Sequence, residues 1–283
     1  MAELDKKIGF IGVGNMGEAM IGALIQSKTI EANMIYINDV VKERLKVMKN
    51  KYGVHIGSDN MYLFRECDIV VLSVKPQSME SVLHELTSTD EYGIKDRKLV
   101  ISIAAGIPIK KLEEFLYSSL ENESIQKLSI VRVMPNTPCL VLSGMSGFCT
   151  NSNVTKEDID DTRTILGSMG KTIEFKEKDM DGVTAISGSG PAYVFYLAES
   201  MIDAGIRMGF SKEDAKTLTL ETIKGASLLM DKMEDSPMEL RGKVTSPGGT
   251  TEAAFKVLEK NGVKNSFIDA ILTAALRSQE LSG

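Results

Sequence analysis

Ile8-Gly9-Phe10-Ile11-Gly12-Val13-Gly14-Asn15-Met16-Gly17 is the stretch on which the fold turns. Ile8 to Ile11 is a short apolar run of strand type, and Met16 to Gln26 carries Met20, Ala23 and Leu24 at helical spacing. A lone G-x-G-x-x-G is weak; lying between a strand and a helix, it becomes the dinucleotide-binding fingerprint. Gly12 permits the tight turn, Gly14 the close approach of a phosphate, and Gly17 the packing of helix on sheet. The N–H groups of Asn15 and Met16 then face a pyrophosphate at the positive end of the helix.

Outward from this turn the first two thirds of the chain alternate strand-like and helical segments. Met34-Ile35-Tyr36-Ile37 reads as the second strand and Lys42 to Lys51 as a polar helix. Ile69 to Val74, Leu99 to Ile103 and Ile130 to Val133 are nearly continuous apolar runs, as parallel strands covered on both faces require. With right-handed crossovers these give an α/β Rossmann-type doubly wound parallel sheet. Three loops follow strand ends, where such sheets bind ligands: Val74-Lys75-Pro76, Ala104-Ala105-Gly106, and Met134-Pro135-Asn136. Together they read as a nicotinamide cradle. Asn38-Asp39 ends the second strand roughly twenty residues past Gly17, where an acid accepts from a ribose 2′-hydroxyl and favours NADH. Lys42, Arg44 and Lys46 follow, and Asn38 could donate to a 2′-phosphate, so NADPH and NADH both stay open.

The strand-like runs stop near residue 176. The expected division is a dinucleotide-binding domain over 1–175 and an all-α dimerisation and substrate-binding domain over 176–283. Pro191 to Met208 reads as one long helix with proline in its first turn and Gly209 past its end. Ser211 to Asp214 is a capping box for the next helix. A third helix is expected from Thr250 to Gly262 and a fourth from Lys264 to Glu280. Ala198, Met201, Ile202, Gly205 and Met208 leave the long helix little polar surface, so a second subunit is expected to cover it in an interlocked homodimer. Thr245-Ser246-Pro247-Gly248-Gly249-Thr250-Thr251 offers hydroxyls and free amides at a helix N-terminus, an anion site sized for a carboxylate.

Composition narrows the function. Hydrophobic residues make up 43 % and charged residues 25 % of 283, ordinary for a globular chain. The net charge of −6 comes without a basic cluster, which argues against nucleic acid and against an anionic membrane surface. The polar entry Met1 to Lys7 has no signal-peptide character and no run approaches a membrane span. Cys67, Cys139 and Cys149 lack metal-ligand spacing, which argues against a metal and fits a reducing, cytoplasmic setting. The two histidines, His55 before the third strand and His84 on a polar helix, lie outside every candidate loop. A hydroxy-acid dehydrogenase needs a base poised near neutral pH; a protonated imine is already electrophilic and takes its proton from solvent. The pattern therefore leans toward reduction of a C=N bond.

Over nearly its whole length the chain resembles the pyrroline-5-carboxylate reductase family. The resemblance rests on Phe10 to Gly17, Val74 to Gln77, Met134 to Pro138, Ser187-Gly188-Ser189-Gly190-Pro191-Ala192-Tyr193, and Val244 to Thr251. It implies hydride transfer from NADPH or NADH to the C=N bond of 1-pyrroline-5-carboxylate, giving L-proline, and a helical dimer, often assembled into a ring such as a decamer. It implies that Ser246, Gly249, Thr250 and Thr251 hold the substrate carboxylate, reaching into a partner's active site, and that the Val244 carbonyl meets the ring nitrogen. Thr184 is the candidate for the proton path, Glu234 for ordering the loop, and Asn60 for a place near the cofactor ribose. The family's cofactor-selecting turn carries small hydroxyl or basic residues, and Asp39 departs from it. Two alternatives are a β-hydroxyacid dehydrogenase-like enzyme, whose lysine on the long helix is absent from Pro191 to Gly209, and a non-catalytic dinucleotide sensor, which needs no carboxylate loop.

Overall fold

The computed structural model describes residues 4–282; Met1 to Glu3, part of the polar entry read above, and Gly283 lie outside the described residues. By its contacts the chain divides after Gly188. Residues up to Gly188, together with those from Ala274 onward, form one compact unit, and Ser189–Thr273 the other.

The first unit is built on one sheet of eight strands: β1 Ile8–Ile11, β2 Ile35–Asn38, β3 His55–Ile56, β4 Ile69–Leu72, β5 Lys98–Ser102, β6 Leu128–Met134, β7 Gly144–Thr150 and β8 Gly170–Glu174. They lie in the order β3-β2-β1-β4-β5-β6-β7-β8. All neighbours are parallel except β6 and β7. The order reverses between β1 and β4, the switch point at which doubly wound sheets open a crevice. Alternate residues feed opposite faces, as the strand period demands. Phe10 and Val71 join the cluster of Met20 and Leu24, beneath α1 (Asn15–Gln26) and α2 (Lys42–Tyr52). Ile11, Val70 and Leu72 join Leu63 and Leu83, beneath α3 (Asn60–Glu66) and α4 (Pro76–Thr87). Helices α5 (Ile109–Leu116), α6 (Asn122–Lys127), α7 (Lys156–Gly167) and the short α8 (Met180–Val183) complete the unit.

Three strands differ from the sequence reading. His55 does precede Ile69–Leu72, the third strand of the sequence reading, but it lies in β3, which that reading did not include; β3 is a two-residue exposed edge, too short to show a period. Strand β7 runs antiparallel to β6, and its two glycines break the apolar run by which a strand is recognised. Strand β8 is a polar edge whose one large aliphatic residue, Ile173, is itself exposed.

The second unit holds α9 (Gly190–Arg207), α10 (Lys212–Lys232), α11 (Pro237–Lys243), α12 (Thr250–Lys260) and the first half of α13 (Val263–Ser282). Ser211 caps α10 by accepting the Asp214 N–H at 3.1 Å. The short α11, which the sequence reading did not include, starts with a reciprocal cap between Ser236 and Glu239. Helix α9 crosses close to α10 because Gly205 has no side chain: a Cβ there would stand 2.8 Å from the Ala215 Cβ. Ala198 and Gly205 are its buried residues. Phe195 is 62 % and Met208 71 % exposed in the single chain, with Val194, Leu197 and Ile206 also open. An apolar surface this broad on one helix is the mark of an association face.

Candidate functional site

The turn after β1 has the form its glycines require. Gly12 sits at φ +92°, and a Cβ on it would meet Val74 Cγ1 at 2.9 Å and the Ser73 backbone at 3.0 Å. Its N–H donates to the Asn38 carbonyl at 2.8 Å, and its own carbonyl accepts from the Ser73 hydroxyl at 2.6 Å. Gly17 brings α1 down onto this turn: a Cβ there would lie 2.8 Å from the Gly12 oxygen. Gly14 is different. It precedes α1 with φ −64°, in a conformation open to any residue, no side chain caps the helix, and a Cβ on it would meet nothing within 4 Å. Open space over uncapped first-turn N–H groups, those of Asn15 and Met16 included, is what a pyrophosphate needs.

Beside this turn lies a cleft of about 270 Å³ lined by Gly12, Gly14, Asn38, Asp39, Asn60, Ser73, Val74 and Lys75 among others. The structure thus gathers four separately predicted segments at the switch point: the glycine turn, Asn38-Asp39, Asn60 and Val74-Lys75. Pro76 begins α4 immediately after Lys75, so proline sits where a helix leaves its N–H unpaired anyway. At the far end, Asn38 Nδ2 donates to Asn60 Oδ1 at 2.9 Å, while Asn38 Oδ1 is buried without a hydrogen-bond partner. A buried oxygen left unpaired is costly, and a donor from a bound ribose removes that cost. The residues present therefore fit a dinucleotide.

Asp39 is more constrained than its sequence position indicates. One carboxylate oxygen accepts the Val13 N–H at 2.7 Å and the other the Val41 N–H at 2.9 Å. Arg44 grips the other side of the same residue: its Nε donates to the Val13 carbonyl at 2.7 Å and its terminal nitrogen pairs with Glu18 at 2.7 Å. Of the three cations that follow β2, Arg44 is thus committed within the turn, and Lys42 and Lys46 remain exposed on α2. Glu18 also binds Lys51 at 2.8 Å; this bond, with Arg44 near it, holds its carboxyl below the usual range against the opposing effect of burial.

The remaining loops of the first unit lie at the ends of β5 and β6. Ala104 to Gly106 follows β5, with Gly106 at φ +74° and its missing Cβ 3.4 Å from the Leu281 backbone, so the end of α13 packs directly on this loop. Asn136 accepts the Met145 N–H at 2.9 Å and donates to the Ser187 hydroxyl at 3.3 Å. The Met134 side chain fills the space a Cβ on Gly188 would take. Ser187 and Gly188 reach these partners because Thr184–Gly188 is a π-helical turn, a form common at functional sites. Sequence reasoning missed this turn; the Ser187-Gly188-Ser189-Gly190 run before Pro191 was its signal. Within it Thr184 donates its hydroxyl hydrogen to the Met180 carbonyl at 2.9 Å, leaving oxygen lone pairs to accept.

The predicted anion loop belongs to the second unit. Val244 is exposed at the end of α11. The Thr245 hydroxyl donates to the Arg241 carbonyl at 2.7 Å, the Gly249 N–H to the Ser246 carbonyl at 3.0 Å, and the Gly248 N–H to Glu252 at 2.9 Å. Gly249 caps α12 without any side-chain bond, so the first-turn amides at Thr250 and Thr251 keep their anion-binding capacity. Glu234 is exposed and forms no hydrogen bond or ion pair with the described residues. Its neighbour Asp235 instead holds Lys243 through both carboxylate oxygens at 2.7 Å, a tie one residue away from the expected one.

A doubly wound sheet with a dinucleotide cleft at its switch point, joined to a helical unit with an uncapped, glycine-rich helix start, defines an NAD(P)-type oxidoreductase. Residues 7–106 match the family model described as NADP oxidoreductase coenzyme F420-dependent, and residues 177–281 match that of pyrroline-5-carboxylate reductase dimerisation. The chain is 37 % identical over 277 residues to the pyrroline-5-carboxylate reductase of Methanosarcina acetivorans, covering 98 % of each. It is 39 % identical to that of Pseudomonas aeruginosa, over 98 % of this chain and 97 % of the other. The crystal structure of Plasmodium falciparum pyrroline carboxylate reductase with NADP bound is similar at a TM-score of 0.86, with 37 % identity and all of both chains covered. The chain belongs to the pyrroline-5-carboxylate reductase family.

Proposed function

We propose that this chain reduces the C=N bond of 1-pyrroline-5-carboxylate to L-proline with NADPH or NADH, as a homodimer. The observation that carries the reading is the match to reductases of this name over both ends of the chain, with an open, uncapped dinucleotide turn in the first unit. When bound, the dinucleotide supplies the hydride from nicotinamide C4, received at the imine carbon of the substrate ring, which becomes C5 of proline.

The chain's own residues bind and orient. The amides of Asn15 and Met16, over Gly14, hold the pyrophosphate. Asn38, Asp39 and Asn60 receive the adenosine ribose. Val74, Lys75 and Pro76, Ala104 to Gly106, and Met134 with Asn136 form the nicotinamide end. Ser246, Gly249, Thr250 and Thr251 hold the substrate carboxylate, the Val244 carbonyl accepts from the protonated ring nitrogen, and Glu234 is available to order that loop. Thr184, its hydrogen already on Met180, acts as an acceptor on the proton path. Fixing the two reactants in one geometry supplies several kcal/mol of barrier reduction.

The exposed apolar face of α9 is the surface on which a second copy docks, and a ring of dimers such as a decamer is compatible with it. Among the described residues no helix is long and apolar enough to cross a membrane. Three unpaired, buried cysteines support a place in the cytoplasm. Purified protein should oxidise NADPH or NADH only when 1-pyrroline-5-carboxylate is added; no turnover with either dinucleotide overturns the proposal.

A further inference from the structure

Behind the ribose end of the cleft, three side chains form a relay whose polarity is set at its outer end. Glu85, exposed on α4, is a carboxylate and only accepts. Its Oε2 takes a hydrogen from Asn60 Nδ2 at 3.1 Å. This orients the Asn60 amide, which is itself 8 % exposed, so that Asn60 Oδ1 faces the other way and receives Asn38 Nδ2 at 2.9 Å. One polar atom of Asn38 is then left over, the buried and unpartnered Oδ1. Turning either amide alone would set two oxygens or two NH2 groups against each other. The three residues come from α4, the start of α3 and the end of β2, so the relay exists only in the folded cleft.

We propose that Glu85 is a positioning residue that sets the hydrogen-bond polarity of the adenosine-ribose pocket, acting through Asn60 so that Asn38 presents an acceptor; this rests on the dinucleotide reading above. An acceptor at Asn38 takes the hydrogen of a ribose hydroxyl. A 2′-phosphate brings only acceptor oxygens and negative charge, to which the Asn38 oxygen offers no hydrogen. The neighbouring Asp39 carboxylate, though bonded to the Val13 and Val41 amides, adds repulsion of the same sign. The relay therefore tilts the pocket toward the dinucleotide that lacks the phosphate. Its handle, Glu85, acts on the Asn38 oxygen through Asn60.

The test measures binding to the full chain by calorimetry, without substrate or turnover, using ADP-ribose and 2′-phospho-ADP-ribose as probes. Glu85→Lys replaces the acceptor by a donor, which turns both amides over and presents Asn38 Nδ2 to the cleft. The ratio of the two dissociation constants should move about tenfold toward the phosphorylated probe, the worth of one hydrogen bond made or lost. Glu85→Gln keeps an oxygen for Asn60 and should hold the wild-type ratio within about twofold. Glu80→Lys adds the same charge to α4 outside the relay and should leave the ratio unchanged, with thermal midpoints confirming that all variants are folded. A ratio that stays put in Glu85→Lys, or moves equally in Glu80→Lys, overturns the relay while the dinucleotide reading stands. Wild-type protein that binds neither probe overturns both.

Discussion

Gly12 and Gly14 lie two residues apart in one turn, yet the structure assigns them unrelated reasons for being glycine, and alanine at each separates those reasons. At Gly12 the backbone is left-handed, which costs an L-residue about 1–2 kcal/mol, and the new methyl would lie 2.9 Å from Val74 Cγ1 and 3.0 Å from Ser73 backbone atoms. Forcing a methyl into such space costs about 1–3 kcal/mol more, and the stiffer unfolded chain returns about 0.4–1 kcal/mol. Gly12→Ala should therefore lose about 2–4 kcal/mol, a large share of a typical domain's stability. At Gly14 the backbone is ordinary and a Cβ meets nothing within 4 Å. Gly14→Ala should keep its urea midpoint, with a change under about 1 kcal/mol once the modest cap penalty and the unfolded-state gain offset each other. The methyl would nevertheless occupy the space over the α1 amides. Losing one or two charge-assisted bonds there, at about 1.5–3 kcal/mol each, should weaken NADH and NADPH binding by about 10- to 100-fold or more. Urea unfolding and calorimetric titration of both variants check this. A Gly14→Ala protein that binds dinucleotide as wild type, or one destabilised as much as Gly12→Ala, refutes the reasoning.

Thr251→Ala should raise the KM for pyrroline-5-carboxylate about tenfold, for a hydrogen bond removed from the carboxylate, and leave the dissociation constants of NADH and NADPH unchanged; steady-state kinetics and titration separate the two. Asp158 ties Arg97, Ser129 and Thr155 together at the start of α7. Burial pushes its carboxyl up, but these partners together hold it below its usual 3.8. A carboxyl made more acidic by folding stabilises the fold above its unfolded value, and that contribution is lost as pH falls through the lower, folded one. Asp158→Asn should therefore cost about 2 kcal/mol at neutral pH, discounted for the partly exposed Arg97, and flatten the acid limb of stability below about pH 4; urea midpoints at stepped pH measure both.

What the sequence makes legible is what short-range patterning controls. Gly12 to Gly17 and the Ser211 cap are both local, and each appears in the structure where its residues predict; the Val74-Lys75-Pro76 loop also lies at its strand end, with Pro76 opening a helix. The loops after β1, β4, β5 and β6 could be assigned to one sheet edge because parallel strands all end on the same side. Strands β3, β7 and β8 escaped because their pairing is nonlocal and their patterns are weak: two residues, two interrupting glycines, and a polar edge. The antiparallel turn into β7 depends on Asn136 accepting the Met145 N–H, a contact that spacing does not announce. The three cations after Asp39 look alike in the sequence, but only the fold commits Arg44 to Val13 and Glu18. Resemblance implies that Glu234 orders the loop; in the single chain it is exposed, and only the fold shows that Asp235 beside it holds Lys243. Glu85 could not be singled out, since an exposed glutamate on an amphipathic helix is unremarkable until Asn60 and Asn38 are seen behind it.

The central claim is that this chain moves a hydride from a nicotinamide to a ring C=N bond. The most direct measurement uses NADPH or NADH carrying deuterium at both C4 positions with 1-pyrroline-5-carboxylate, and locates the label in the product by mass spectrometry and NMR. The account predicts L-proline with one deuterium at C5, formed only when protein, dinucleotide and imine are all present. Unlabelled proline, or dinucleotide oxidation that proceeds without the imine, would contradict it.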